Sequence, residues 1–170
     1  MDLLISESQG NGGDLFKRGR DLAVIKSFEN MVYLAMFGGN PDYPTPPSLN
    51  GNEQNRDFWG NQLFLSNDPG TQFNSLTEAR LNRVELTSSG RVEIEEAVKR
   101  DLEFMREFAE VKVTVSIISD DKIRLDIGIK RPENLKEKHF IYIWDAFQQE
   151  LELGYISSGE GLEEVLQHNL

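Results

Sequence analysis

The side chains of this chain that could do chemistry do not have the spacing of a familiar catalytic or metal site. The two histidines, His139 and His168, lack a second histidine, a cysteine or an acidic residue at a helical or hairpin ligand spacing. No Gly-x-Ser-x-Gly elbow is present to expose a serine nucleophile. We therefore expect neither a bound metal nor serine hydrolysis.

Paired carboxylates are frequent, but their positions do not predict a catalytic pair. Glu95 and Glu96 are adjacent, as are Asp120 and Asp121, and adjacency places such pairs on solvated faces and not across a cleft. The glycine clusters match neither the dinucleotide fingerprint nor the phosphate-binding loop. We expect no catalytic residue and no cofactor, although a carbohydrate-active enzyme that uses two carboxylates stays an open alternative.

The composition limits the possible partners. The chain has 170 residues and a formal net charge of −11, and this acidity repels the phosphate backbone of nucleic acids. It has no cysteine, which excludes disulfides and thiolate zinc sites. No signal peptide and no apolar run long enough to span a membrane is encoded. We expect one domain over 1–147 that binds neither nucleic acid nor membrane.

The C-terminal part of the chain has a strong charge asymmetry. After Lys138 there is no Lys or Arg, whereas acidic residues accumulate towards the end. This pattern predicts an acidic C-terminal extension over 148–170. An adaptor that binds a basic partner through this extension is a second open alternative.

Three segments have helical patterns, and they begin near residues 27, 75 and 92. Ser75 and Glu78 have capping-box spacing, and the helix that they begin is predicted to end by Ser88–Gly90. The third helix, over 92–109, has an apolar stripe that is interrupted only by Asp101. The apolar members of that stripe are Ile94, Ala97, Val98, Leu102, Met105 and Phe108.

Strand patterns dominate after residue 110, and one more is found at the start of the chain. Apolar and polar residues alternate over 111–118 and 122–130, and an apolar strand follows at 140–144. Residues 2–6 and 14–16 flank a glycine-rich turn, which predicts an N-terminal hairpin. We predict an α+β single domain in which an antiparallel meander of three or more strands packs against two or three helices.

A long loop precedes the most unusual aromatic pair of the chain. Residues 38–56 are rich in Pro, Gly and Asn, a composition that breaks helices and cannot form a core. The loop leads into a segment that we predict to be a loop anchor or an interface. Its residues are Arg56, Asp57, Phe58, Trp59 and Gly60.

These segments, taken in order, resemble the Mu-type phage tail protein family, which is related to the baseplate wedge proteins, or sheath initiators, of contractile tails. The resemblance covers about residues 2–145 and rests on the order of its motifs. Besides the helix and strands after residue 92, those motifs are Asp2-Leu3-Leu4-Ile5, Gly13-Asp14-Leu15, Asp21-Leu22-Ala23, Met36-Phe37, Arg56-Asp57-Phe58-Trp59-Gly60, Arg131-Pro132 and Tyr142-Ile143-Trp144. Relatives often carry a Glu-Pro-Arg motif before the first strand of the meander, which is absent from Arg106–Glu110 here, so its contact is not carried over.

The resemblance implies a non-enzymatic structural protein of a phage or prophage-derived tail baseplate, located in the virion and assembled in the cytoplasm of the host bacterium. Some relatives have been labelled lysozyme-like, but no residue pair here fits that label. The implied partners are other baseplate wedge proteins and tail sheath subunits in a symmetric assembly, and an isolated copy can still be monomeric. Sheath assembly would begin by strand addition to the sheet. The candidate partner-binding strands carry Val111, Val113, Val115, Ile123, Leu125, Ile127, Tyr142 and Trp144.

Overall fold

Helices cover one face of an antiparallel sheet in the computed structural model, which is the α+β arrangement predicted from the sequence. The residues that the structure describes are 2–3, 5–7, 13–15, 17–18, 20–22, 24–25, 28–39, 72, 74–133, 136–157 and 162–163. Among them, no helix is both long enough and apolar enough to cross a membrane.

Six short strands near the N-terminus form three separate antiparallel pairs, β1 with β6, β2 with β3 and β4 with β5. Their bounds are Asp2–Leu3 (β1), Ile5–Glu7 (β2), Gly13–Leu15 (β3), Lys17–Arg18 (β4), Asp21–Leu22 (β5) and Val24–Ile25 (β6). Residues 8–12, which connect β2 to β3, lie outside the described part of the chain. The N-terminal hairpin therefore stays a prediction.

The described helices are α1 (Glu29–Phe37), α2 (Leu76–Leu81), α3 (Ser88–Asp101) and a 3-10 helix (Glu103–Glu107). The predicted cap of α2 is confirmed, because Ser75 Oγ accepts a hydrogen bond from the Glu78 amide at 3.2 Å. Thr87 caps α3 in the same way, with its Oγ1 3.1 Å from the Gly90 amide nitrogen.

One helix boundary predicted from the sequence agrees with the structure and one is wrong. The second helix ends at Leu81, before Ser88–Gly90, and Ser88–Gly90 begins α3 because the hydroxyl of Thr87 supplies a new N-cap. The long helix predicted over 92–109 ends as an α-helix at Asp101 and continues as the 3-10 helix. This change of helix type leaves Phe108 38% exposed, outside the buried stripe.

The main sheet has five strands in the order β11-β10-β9-β8-β7. Its strands are β7 (Glu110–Ile117), β8 (Lys122–Lys130), β9 (Lys138–Asp145), β10 (Glu150–Ser157) and β11 (Leu162–Glu163), and neighbouring strands are antiparallel. The antiparallel meander predicted after residue 110 is confirmed. The domain boundary placed after Phe147 falls in the turn between β9 and β10, so part of the acidic C-terminal segment pairs within the sheet.

The core lies between the helices and the inner face of the sheet. Phe28, just before α1, packs against Phe140 with ring centroids 5.8 Å apart, and the guanidinium of Arg131 lies 4.4 Å from the centre of the Phe28 ring. Phe37 at the end of α1 contacts Tyr142 at 5.3 Å. These contacts place α1 across β9. On the same face of the sheet, α3 packs near the edge strand β7.

Candidate functional site

Strand β7 is one edge of the main sheet, and it presents backbone groups that no other described strand pairs. Within the part of the chain that the structure describes, β7 pairs with β8 on one side and with no strand on the other. The edge is eight residues long. An edge of this length offers a row of backbone donors and acceptors to an incoming strand.

Two hydrogen bonds establish which residues of β7 face outward. The Ile118 amide donates to the Lys122 carbonyl at 2.9 Å, so even-numbered residues direct their N–H and C=O groups towards β8. Arg91 Nη1 donates to the carbonyl of Val115 at 3.3 Å from the other side. The outward set is therefore odd-numbered, and its members are Val111, Val113, Val115 and Ile117.

The side chains of the predicted partner-binding strands lie mostly in the core. Val111 and Val113 are only partly buried. The other six are 5% exposed or less, and these are Val115, Ile123, Leu125, Ile127, Tyr142 and Trp144. These six side chains hold the sheet against the helices. The backbone of β7 is therefore the part of these strands that is best placed for edge contacts.

A charged stripe on α3 lines the helix side of the β7 edge. Glu95 lies between two cations, with Oε2 2.9 Å from Arg91 Nη1 and Oε1 2.8 Å from Lys99 Nζ. The hydrogen bond from Lys99 is the main cause of the lowered pKa of the Glu95 carboxyl. Arg91 has no role predicted from the sequence, and its i, i+4 spacing from Glu95 is the signal that could have indicated this ion pair.

The outer face of the sheet carries a chain of polar contacts across three strands. Glu137 places its carboxylate over Gly128, where a Cβ would occupy the same space, and lies 3.4 Å from Lys112 and 3.9 Å from His139. His139 Nδ1 is in turn 2.9 Å from Asp126. This face is therefore a solvated ion-pair network, and the structure places His139 there.

The end of α1 and the start of α2 meet at a buried polar cluster. The Ser75 amide donates to the Gly39 carbonyl at 2.8 Å, and Glu78 Oε2 accepts from the Gly39 amide at 3.2 Å. Ser75 Oγ also donates a short hydrogen bond to the Met36 carbonyl. Glu78 is buried, with 7% of its surface exposed. Its carboxylate ties the first turn of α2 to the Gly39 backbone.

Two sets of sequence-predicted residues lie outside the described part of the chain. They are the loop anchor, with Arg56, Asp57, Phe58, Trp59 and Gly60, and the second histidine, His168. Their roles stay predictions. Among the described residues, no group of three or more histidine and acidic side chains could hold a metal ion.

No protein family, curated protein or solved structure matches this chain. The β7 edge is the arrangement in the described residues with the clearest chemical capacity, because its outward groups can form main-chain hydrogen bonds with an extended segment.

Proposed function

We propose that this chain is a structural, non-enzymatic component of a phage or prophage-derived contractile tail baseplate. In this role it binds other wedge proteins and accepts a strand of a tail sheath subunit at the β7 edge, which starts sheath assembly. The observation that carries the proposal is the outward set of β7 within the described sheet. Strand addition needs such an edge and needs no pocket.

The edge is held rigidly enough to act as a template. Val115 and its partner on β8, Leu125, are 3% and 0% exposed, so the strand is anchored through its side chains while its backbone faces outward. A preorganised strand reduces the conformational entropy that docking would otherwise cost. The burial pattern therefore favours docking through the main chain.

The carbohydrate-active alternative finds little support in the described carboxylates. Glu95 and Glu96 both contact Lys99, and Asp120 and Asp121 lie exposed in the turn after β7. Two carboxylates in a glycosidase must instead face each other across a substrate cleft. None of these pairs has that arrangement.

Proline substitution separates edge docking from folding. The Val113 amide points outward, so Val113→Pro removes a donor from the free edge while the ladder with β8 is kept. Thr114→Pro is the matched control, because the Thr114 amide points towards β8 and its loss weakens the sheet. The two variants differ by one position and report on opposite sides of the same strand.

The assay is co-expression of each variant with the tail sheath protein from the same genome, followed by electron microscopy of sheath assembly. We expect Val113→Pro to keep a cooperative thermal transition and to lose sheath nucleation. We expect Thr114→Pro to lower Tm. A folded Val113→Pro protein that nucleates sheath normally would exclude docking at this edge.

A further inference from the structure

A second exposed feature lies at the end of the sheet where the strands turn. This turn end consists of residues 118–121, between β7 and β8, and residues 146–149, between β9 and β10. Phe147 is 79% exposed, which is the highest value among the large apolar side chains that the structure describes as exposed. Ile118 in the neighbouring turn is 54% exposed. An aromatic side chain with so little cover is typical of an interface anchor.

The backbone around Phe147 is held in place by side-chain and backbone hydrogen bonds. Asp145 Oδ1 accepts from the amides of Phe147 and Gln148, at 2.9 and 2.8 Å. The Ala146 amide donates to the Asp121 carbonyl at 2.7 Å, which ties the two turns together. The phenyl ring is therefore presented from a fixed turn, and binding through it would cost little loop ordering.

The charge around the anchor is strongly acidic. Within residues 117–122 and 145–152, the acidic residues are Asp120, Asp121, Asp145, Glu150 and Glu152, and the single basic residue is Lys122. The ammonium of Lys122 is already 2.7 Å from Glu152 and 4.0 Å from Asp145. The hydrogen bond from Ser119 lowers the pKa of the exposed Asp121 carboxyl and so favours its charged form.

We propose that the turn end is a second protein-docking site, in which Phe147 inserts into an apolar pocket rimmed by lysine and arginine on a partner protein. The acidic rim favours a basic protein surface and disfavours nucleic acid, anionic membrane or a second copy of this acidic chain. The site uses side chains, and its anchor Phe147 lies in the turn after β9, which is two strands away from β7. It therefore does not depend on strand addition at that edge.

The probe is a synthetic amphipathic helical peptide made only of leucine and lysine, with the leucines along one face, titrated into the full chain. Backbone amide NMR shifts locate the contact and calorimetry measures the affinity. We expect shifts concentrated in 118–121 and 146–149. Phe147→Ser should weaken binding about tenfold or more, as expected for loss of an interface anchor. The matched control is Phe104→Ser, which removes a phenyl ring that is 42% exposed elsewhere and should leave the affinity unchanged.

Two further variants test the role of the acidic rim and separate the turn end from the β7 edge. Asp120→Asn with Asp121→Asn should weaken peptide binding and reduce its dependence on salt, because these carboxylates supply the rim charge. Val113→Pro should bind the peptide like wild type, so that failure at the β7 edge and failure at the turn end are told apart. Equal affinity of Phe147→Ser and wild type, or shifts outside the turn end, would overturn the proposal. So would concentration-dependent self-association that Phe147→Ser abolishes, because the occupant would then be a second copy.

Discussion

Asp101 Oδ2 accepts hydrogen bonds from both the amide and the hydroxyl of Thr77, each at 2.7 Å. Asp101 Oδ1 accepts a further bond from the Leu76 amide at 3.1 Å. The last residue of α3 therefore satisfies free amides at the first turn of α2. Ser75 completes the same N-terminus from the other side, through its bond to the Glu78 amide. The cap of α2 is thus shared between a local residue and a distant one.

Asp101→Asn tests the distant half of this cap. Asparagine has only one carbonyl oxygen, and an NH₂ group replaces the other carboxylate oxygen. That NH₂ group must then face either the Leu76 amide or the amide and hydroxyl of Thr77, and these donors lose their acceptor. We expect the free energy of unfolding to fall by about 1–3 kcal/mol, the usual cost of leaving a buried donor without a partner. Urea denaturation measures the change, with Arg100→Gln as an exposed neighbouring control. A loss no larger than that of the control would contradict this role.

The same carboxyl gives a pH dependence of defined sign. Burial raises the pKa of Asp101 above its ordinary 3.8, against the opposing hydrogen bonds from Thr77 and Leu76. Between 3.8 and the raised value the folded protein binds more protons than the unfolded chain, so the Asp101 contribution to stability falls as pH rises through this window. We expect the difference in unfolding free energy between wild type and Asp101→Asn to increase as pH is lowered through the window. A difference that shrinks on acidification would mean that the hydrogen bonds outweigh burial.

The sequence predicted strands β7, β8 and β9 of the main sheet and the cap of α2 correctly, because their signals are local in the chain. The alternation after Val111 predicts strands because side-chain direction in a strand has a period of two, and Ser75 predicts a cap because the cap bond spans only three residues. The pattern also showed Asp101 as the one polar interruption of an apolar stripe. Its partner on α2 could not be inferred, because that contact joins residues 24 apart in the chain through tertiary packing.

The candidate site was predicted only at the level of strands. Periodicity identifies which side chains of β7 face the core, but it does not show that β7 is the last strand of the sheet. The sequence also placed an acidic extension after Phe147, while residues 150–157 pair with β9 as β10. Edge position and strand partners are set by the three-dimensional order of the sheet, which no single segment encodes.

Two glycines give a matched pair of stability predictions. A Cβ on Gly90 would overlap the carbonyl oxygen of Glu85, which is backbone and cannot turn away. A Cβ on Gly128 would meet the end of the Glu137 side chain, which can rotate. We expect Gly90→Ala to cost about 1–3 kcal/mol and Gly128→Ala to change stability by less than about 1 kcal/mol. Thermal unfolding of both variants measures this, and equal losses would mean that Glu137 is held as firmly as backbone.

Arg91 gives a prediction about the β7 edge itself. Its guanidinium donates to the Val115 carbonyl at 3.3 Å and so occupies one acceptor of the outward set. Charged side chains at a sheet edge oppose pairing with another copy of the same edge. Arg91→Ala frees this acceptor, and we expect concentration-dependent self-association in sedimentation velocity that wild type lacks.

The Arg91 prediction has an internal control on the same strand. Adding Val113→Pro to Arg91→Ala should abolish the self-association, because the outward Val113 donor is then removed from the edge that would pair. Arg91→Lys is the charge-preserving comparison. Arg91 Nη1 contacts both Glu95 and the Val115 carbonyl, and the shorter lysine side chain keeps the positive charge beside Glu95 without reaching Val115 in the same way. If Arg91→Lys self-associates as strongly as Arg91→Ala, the guanidinium hydrogen bond is what prevents pairing of the wild-type edge. If Arg91→Lys does not self-associate, the positive charge is what prevents it. Self-association of the double variant with Val113→Pro would show that the copies pair elsewhere and that Arg91 does not guard β7.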